Sequence, residues 1–268
     1  MHLRDVKLVV TDMDGTLLNS KGEVSDSFFE LFKKLSQYDI HFVAASGRQY
    51  YSIVNKLAPV KDEITVIAEN GGIALRKEEQ LLIRDLPKKI TFSFLEEMRK
   101  IKGAYLILCG KDRAYIECRD DAFINTLKEY YERYEIVDDL TKVDHDLFLK
   151  IASYHFESSE QFIYPKVKHL ENEYQVKVSG ANWLDISHPK ANKGNALQLV
   201  QKKLGIHKAE TMVFGDYNND LEMMELAHFS YAMENAHENI KEIANFNTSS
   251  NDDQGVEKVL EELLRAKA

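Results

Sequence analysis

The chain has 268 residues, of which 44% are hydrophobic and 29% are charged, a composition typical of folded domains with a sizeable core. Its formal net charge of −9 argues against a nucleic-acid-binding surface, which needs clustered lysine and arginine. The sequence contains neither a recognisable signal peptide nor an apolar run long enough to span a membrane. We therefore expect a cytoplasmic protein that binds neither nucleic acid nor membrane, of an oligomeric state that the sequence leaves open.

Strands and helices are predicted to alternate in the first third of the chain. We predict strands over 6–11, 40–45 and 64–68 and helices over 25–38 and 50–57. The first strand is a continuous apolar run broken once by Lys7, as is typical of parallel strands covered on both faces. This alternation predicts an α/β core with a doubly wound, Rossmann-like parallel sheet.

The pattern changes between residues 86 and 187. Predicted here are helices over 91–101, 121–133 and 158–170 and strands over 104–109, 113–118, 147–154, 174–179 and 183–187. Pairs of short neighbouring strands indicate antiparallel hairpins and a separate α+β unit. The alternation then returns, with helices over 193–204, 219–227, 237–244 and 255–265 and strands over 211–214 and 229–232. We predict a core of residues 1–85 and 188–268, interrupted by an inserted α+β domain of residues 86–187, called the cap below.

Two aspartates follow the first predicted strand. Asp12 and Asp14 lie on either side of Met13, and Gly15 comes next. Two carboxylates this close in a tight turn repel each other unless a cation lies between them. Mg²⁺ prefers oxygen ligands and suits such a pair. A plain polar turn is the alternative, but it is less favoured directly after a buried strand.

Ser46, Gly47 and Arg48 follow the second predicted strand. A hydroxyl and free backbone N–H groups can hold a phosphoryl oxygen, and an arginine can reach a substrate anion. On its own this segment is equally typical of an ordinary turn.

The segment Asn192-Lys193-Gly194 begins a predicted helix. A lysine in the first helical turn opposes the helix dipole, and such local conflicts are often found at functional sites. Lys193 is therefore either a solvated side chain or a cation that neutralises a phosphate or a nearby carboxylate.

The segment GDYNND, residues 215–220, follows the strand predicted over 211–214. One residue of it, Asn219 or Asp220, can cap the next helix. Capping does not explain the whole cluster of acidic and amide groups. We interpret Asp216 as a metal ligand and Asp220 as a residue that orients the ligands.

Together, the segments DMDGT, SGR, NKG and GDYNND resemble the four motifs of the haloacid dehalogenase superfamily of phosphotransferases, in that family's order and spacing. The inserted unit resembles the large C2-type α+β cap of the Cof-type sugar-phosphatase subfamily. The resemblance covers essentially the whole chain. The family's third-motif lysine often follows serine or aspartate, so Asn192 is a mild departure.

The resemblance implies a role for each matching residue. Asp12 is implied to attack phosphorus and form an aspartyl-phosphate, and Asp14 to protonate the leaving oxygen and later activate water. Ser46 and Lys193 are implied to bind oxygens of the transferring phosphoryl group. A Mg²⁺ ion is implied to be held by Asp12, the backbone carbonyl of Asp14, and Asp216.

The substrate contacts are less firmly indicated. We expect them at Met13, Gly47, Arg48, Asn70 and Asn219, although the Asn-Gly pair at Asn70 is also typical of a plain turn. Sugar phosphates are favoured by the resemblance alone, and phosphorylated cofactors or flavin precursors remain open.

The aromatic and polar residues of the cap do not indicate which ligand it binds. Tyrosines at helical spacing, Tyr130 and Tyr131 among them, are interpreted as packing residues. Trp183 and Asp185 lie near the return to the core, where a cap can touch a substrate, but neither is assigned a role.

The predicted function is a Mg²⁺-dependent phosphatase of small phosphorylated metabolites. A phosphomutase or phosphotransferase of the same superfamily keeps all four motifs and is the main alternative. A phospho-accepting signalling module is less favoured, because such modules are about half as long and place their aspartate later. A binding protein without turnover is disfavoured by the acid at Asp14.

Overall fold

The computed structural model of the chain describes residues 2–77 and 79–268, and the strands in these ranges form two β-sheets. The first part contains β1 (Leu8–Asp12), α1 (Asp26–Leu35), β2 (His41–Ala45), α2 (Tyr50–Lys56), β3 (Thr65–Ala68), β4 (Ile73–Arg76) and β5 (Glu79–Ile83). The cap contains α3 (Lys88–Met98), β6 (Tyr105–Gly110), β7 (Ala114–Ile116), α4 (Asp121–Tyr130), β8 (Tyr134–Ile136), β9 (Phe148–Tyr154), α5 (Ser159–Phe162), α6 (Tyr164–Val167), β10 (Gln175–Val178) and β11 (Trp183–Ser187). The last part contains α7 (Lys193–Leu204), β12 (Thr211–Gly215), α8 (Leu221–Met224), β13 (Phe229–Ala232), α9 (Glu238–Ile243), β14 (Phe246–Asn247) and α10 (Gly255–Lys267).

The core sheet has the strand order β14-β13-β12-β1-β2-β3-β4-β5 across the described residues. Its first six strands are parallel, and β4 and β5 add an antiparallel hairpin at one edge. Strand β1 lies between β12 and β2, so the chain winds outward in opposite directions from this point. In open α/β sheets the crevice at such a reversal, outside the carboxyl ends of the strands, is where ligands bind.

Burial on both faces explains why the first three residues of β1 are apolar. Leu8, Val9 and Val10 have no exposed surface, because helices cover the sheet on either side. Ser25 caps α1 by accepting a hydrogen bond from the Phe28 N–H at 3.1 Å, as the capping preference of serine predicts. The buried face of α1 carries the apolar residues of the predicted helix, Phe28, Leu31, Phe32 and Leu35.

The cap sheet has the strand order β10-β11-β9-β6-β7-β8, antiparallel except for the parallel pair β7 and β8. All its strands come from the cap, so the chain builds it between β5 and α7. The predicted fold class, an α/β core with an additional α+β unit, is confirmed. We keep the predicted domain boundaries as a proposal. No helix within the described ranges combines the length and apolar character needed to cross a membrane.

The predictions were wrong in a few places where local chemistry interrupts a pattern. The helix predicted over 158–170 is broken into α5, α6 and a 3-10 turn, because Pro165 lacks an N–H group and disfavours a helical residue before it. The helix predicted over 219–227 is reduced to a 3-10 turn and α8. Strands β5, β8 and β14 at the sheet edges, and β4 next to β5, were not predicted.

Gly71 brings the start of α7 against the turn that follows β3. Its φ of +86° is a left-handed conformation, and a Cβ at this position would lie only 2.2 Å from the Asn192 carbonyl oxygen. Gly205, after α7, has a φ of +65° but nothing within 4 Å of a built Cβ. A substitution at Gly205 therefore adds backbone strain alone, whereas a substitution at Gly71 adds both strain and a steric clash.

We expect Gly205→Ala to cost about 1 kcal/mol of the free energy of unfolding, from strain alone. Gly71→Ala should lower the free energy of unfolding by ~1–3 kcal/mol more than Gly205→Ala does, because its methyl group must push Asn192 away. Urea unfolding of both variants measures the difference. Equal losses would show that the close approach of α7 to this turn does not constrain the fold.

Candidate active site

A fully buried lysine connects the ends of three elements of the core. Lys193, at the start of α7, donates to Asp12 Oδ1 at 2.5 Å and to Asp220 Oδ1 at 2.6 Å. Asn192 caps the helix by accepting a hydrogen bond from the Asn195 N–H at 2.7 Å. The alternative of a solvated Lys193 is therefore wrong, because its side chain has no exposed surface.

Asp12, Asp216 and Asp220 bring carboxylate oxygens within 4.8 Å of one another. Burial, together with the neighbouring negative charges, raises the pKa of Asp216 to about 9. Burial also raises the pKa of Asp12, to about 7, although the Lys193 charge opposes this. Burial disfavours the charge of Lys193, but attraction to Asp12 and Asp220 outweighs it and raises the lysine's pKa. The cluster thus holds more negative charge than one lysine neutralises.

The oxygens of Asp220 are already engaged. Oδ1 accepts from Lys193, and Oδ2 accepts from the N–H groups of Asp216 at 3.0 Å and Tyr217 at 3.3 Å. Asp220 therefore fixes the lysine and the turn after β12, as predicted for an orienting residue. Asp12 and Asp216 remain with oxygens available to a ligand.

Gly15 gives Asp216 the room that it occupies. A Cβ on Gly15, whose φ is +74°, would lie 2.3 Å from Asp216 Oδ2. Thr16 donates from its hydroxyl to Asp216 Oδ1 at 3.2 Å. The turn after β1 is thus shaped around a carboxylate from β12, and this buried, oxygen-rich donor set fits a hard cation such as Mg²⁺.

Arg48 pairs with the predicted general acid. Its Nε donates to Asp14 Oδ2 at 2.7 Å and its Nη2 to Asp14 Oδ1 at 2.6 Å, a bidentate ion pair. Its Nη1 donates to the Glu129 carbonyl oxygen at the end of α4, and its guanidinium lies 4.6 Å from the Tyr130 ring centre. Arg48 thus links Asp14 to the cap rather than pointing freely into the cavity.

The remaining predicted residues occupy the turns after β2, β3 and β12. Ser46 is buried, and its hydroxyl accepts from the Arg48 N–H at 3.1 Å. Asn70, in a left-handed conformation with a φ of 51°, accepts from Asn219 Nδ2 at 3.1 Å. The Met13 side chain is fully buried in the core, which leaves only its backbone for the predicted substrate contact.

A cavity of about 540 Å³ opens between these turns and the cap. Asp12, Asp14, Ser46, Gly47 and Asp216 line its core side. The cap side is lined by Tyr130, Tyr131, Tyr154, Trp183, Asp185 and Lys150, among others. The interpretation of Tyr130 and Tyr131 as packing residues alone was incomplete, since both also face this cavity.

Lys150 crosses from the cap to the core and was not found from the sequence. Its ammonium donates to the Gly47 carbonyl oxygen at 2.9 Å and lies 3.0 Å from Glu69 Oε2 and 3.1 Å from Asp185 Oδ2. Asn70 Nδ2 also donates to Asp185 Oδ2, at 2.7 Å. A lysine in an apolar strand gives no sequence signal of these contacts, because Gly47 lies 103 residues before it and Asp185 lies 35 residues after it.

Comparison with known proteins identifies the class of this chain. The haloacid dehalogenase-like hydrolase family model matches residues 9–260, so the chain belongs to this family of hydrolases. The predicted superfamily and enzyme class are confirmed, and a receiver-type signalling module is no longer an alternative.

Three similar proteins are informative. The 5-amino-6-(5-phospho-D-ribitylamino)uracil phosphatase YbjI of Escherichia coli is 33% identical over 98% of both chains. The structure of SMU.1108c from Streptococcus mutans has a TM-score of 0.89 and 30% identity, covering 97% of this chain and 99% of the other. The subclass IIB sugar phosphatase BT4131 has a TM-score of 0.82 over 96% of this chain and 98% of the other, and at 20% identity it supports the fold alone.

The buried lysine predicts a pH-dependent loss of stability. We expect Lys193→Met to cost about 3–5 kcal/mol of the free energy of unfolding near pH 8, because it leaves Asp12 and Asp220 buried without a cation. Burial raises the pKa of Asp12 even beside Lys193, so the folded variant binds a proton that the unfolded chain has released, and its stability should fall as pH rises above ~4. Guanidinium unfolding at pH 5 and pH 8 measures this.

Lys203→Met, which removes an exposed lysine 3.6 Å from Glu79, is the control and should cost under ~1 kcal/mol at either pH. The same loss at pH 5 and pH 8 for Lys193→Met would contradict the assignment of Lys193 as the counter-charge.

Proposed function

We propose that this chain is a Mg²⁺-dependent phosphatase that hydrolyses small phosphorylated metabolites through an aspartyl-phosphate on Asp12. The observation that carries the proposal is the position of Asp12, whose Oδ1 is held by Lys193 while Oδ2 accepts no hydrogen bond from any described residue. A fixed carboxylate with one unengaged oxygen at the cavity is arranged as a nucleophile.

In the first step Asp12 Oδ2 attacks phosphorus and the bond from phosphorus to the leaving oxygen breaks. The proton of Asp14 passes to the leaving oxygen, which departs as an alcohol. Asp14 must first exchange its two hydrogen bonds with Arg48 for the leaving group, because a carboxylate in a bidentate arginine pair does not donate a proton. Arg48 is then free to approach the substrate, as its predicted role requires.

In the second step Asp14 accepts a proton from water, whose oxygen attacks phosphorus while the bond to Asp12 breaks and inorganic phosphate leaves. In this proposal Lys193, which contacts Asp12, and Ser46, which lines the cavity, hold equatorial phosphoryl oxygens. Asp12, the Asp14 carbonyl and Asp216 would hold Mg²⁺, which when bound supplies positive charge against the transferring phosphoryl group.

The substrate class is the finer part of the proposal. Sugar phosphates follow from the predicted subfamily. The relative YbjI is named for a phosphorylated ribitylaminouracil, a flavin precursor. Both carry a phosphate on a polyhydroxylated chain, and we propose that this chain accepts compounds of this general kind.

Inorganic phosphate release tests the proposal. We expect release from at least one such phosphate with Mg²⁺, none with EDTA, and a decrease of about 10³-fold or more in Asp12→Asn. Asp14→Asn should lose about 10²–10⁴-fold, since it removes the acid and base.

Asp62→Asn, which changes an exposed aspartate outside the cavity, should retain full activity. Transfer of the phosphoryl group to a sugar hydroxyl instead of water would favour the phosphomutase alternative. Metal-independent release would contradict the proposed role of the carboxylate cluster.

A further inference from the structure

Aromatic rings dominate one part of the cavity wall. Tyr130 and Tyr154 pack edge-on against Trp183, with ring centres 5.1 and 4.9 Å from the indole. Tyr154 is buried, whereas Tyr130 and Trp183 retain partial exposure where they line the cavity. Aromatic faces of this kind stack well on planar rings, whereas a linear sugar phosphate makes little use of them.

A buried carboxylate with an open oxygen lies beside this wall. The Asp185 side chain is only 5% exposed and lines the cavity. Its Oδ2 accepts from both Asn70 and Lys150, and no described residue donates to its Oδ1. Oδ1 is not among the fully buried, unpartnered side-chain atoms of the described residues, so it is accessible from the cavity that Asp185 lines and is free to accept from a donor group of a ligand.

The charge around Asp185 indicates which part of a substrate it faces. Glu69 and Asp185 share the single ammonium of Lys150, which contacts both, and burial raises the pKa of Glu69 although the Lys150 charge opposes this. Burial disfavours the Lys150 charge, but the two carboxylates outweigh it and raise its pKa, so it stays protonated. The two cations that line the cavity among the described residues, Arg48 and Lys150, are both paired with carboxylates. The end of the cavity beside Asp185 therefore offers a phosphate no free positive charge and suits the uncharged part of the molecule.

We propose that the cap side of the cavity recognises a leaving group that carries a planar heteroaromatic ring with N–H or O–H donors, and that Trp183 and Asp185 set this specificity. The ring packs against Trp183 and Tyr130, and a donor bonds to Asp185 Oδ1. Lys150 and Asn70 act as positioning residues that hold Asp185. This inference rests on the proposed phosphatase function and narrows its substrate class.

A matched pair of phosphates tests the specificity. The ribitylaminouracil phosphate for which YbjI is named and ribitol 5-phosphate share the phosphate and the ribityl chain, and only the first has the ring. We expect the wild type to prefer the ring-bearing compound in kcat/KM. Trp183→Leu should reduce this preference about tenfold, the effect of losing one stacked ring.

Asp185→Asn should also reduce the preference by about tenfold, because it replaces a charged acceptor by a neutral one. In this variant Glu69 still pairs with Lys150, so we expect the protein to fold. Phe156→Leu is the control: Phe156 packs on Tyr154 at 5.1 Å but does not line the cavity, and its loss should leave the preference unchanged. Equal loss with both phosphates in Trp183→Leu and Asp185→Asn, or no preference in the wild type, would overturn the inference.

Binding can be measured separately from turnover. Trp183 is the single tryptophan of the chain, so its fluorescence in the Asp12→Asn variant reports directly on this wall. Saturable quenching by the ring-bearing phosphate, weakened by Asp185→Asn and absent with ribitol 5-phosphate, supports ring recognition even if no phosphate is released. Phosphate release from acetyl phosphate without such quenching would leave the proposed function intact and reject the inference.

Discussion

The buried ion pairs of Lys193 are the interaction on which the rest of the site depends. One ammonium joins Asp12 at the end of β1 to Asp220 after β12, and therefore ties together the two strands between which the sheet reverses direction. Taking these charges out of water is costly and is tolerated only with close, complementary partners. Asp12, Asp220 and the start of α7 are thus placed by one constraint, and removing the lysine leaves both carboxylates without a cation.

Two further charged side chains connect the turns of this site to the cap. Arg48 joins Asp14 to the end of α4, and Lys150 joins β9 to the Gly47 carbonyl and to Glu69. Both cross the cavity boundary, so the position of the cap and the geometry of the catalytic turns are coupled. Because Arg48 holds Asp14 in a bidentate ion pair, the proposed acid role of Asp14 requires that a substrate draw the guanidinium away.

The elements and site residues that produce a local sequence pattern could be predicted from the sequence. Continuous apolar strands predicted the core sheet, and acidic or polar turns at strand ends predicted Asp12, Asp14, Lys193 and Asp216, which the fold brings around one cavity. The pairing of Lys150 with Glu69 and Asp185 depends on contacts distant in sequence, which no local pattern reveals. The sequence placed Trp183 near the return to the core but assigned it no role, and it assigned Tyr130 to packing alone, since a ring that packs and a ring that lines a cavity have the same helical or strand spacing.

The central claim is that Asp12 carries the phosphoryl group, and trapping that group tests it most directly. Acid quenching of the Asp14→Asn variant during turnover, followed by intact-mass measurement and peptide mapping, should find one phosphoryl group on Asp12, because this variant lacks the base that activates water. Lability of the adduct to hydroxylamine would identify it as an acyl phosphate. Turnover by the wild type with no adduct on Asp12 in either protein, or an adduct on another residue, would contradict the account.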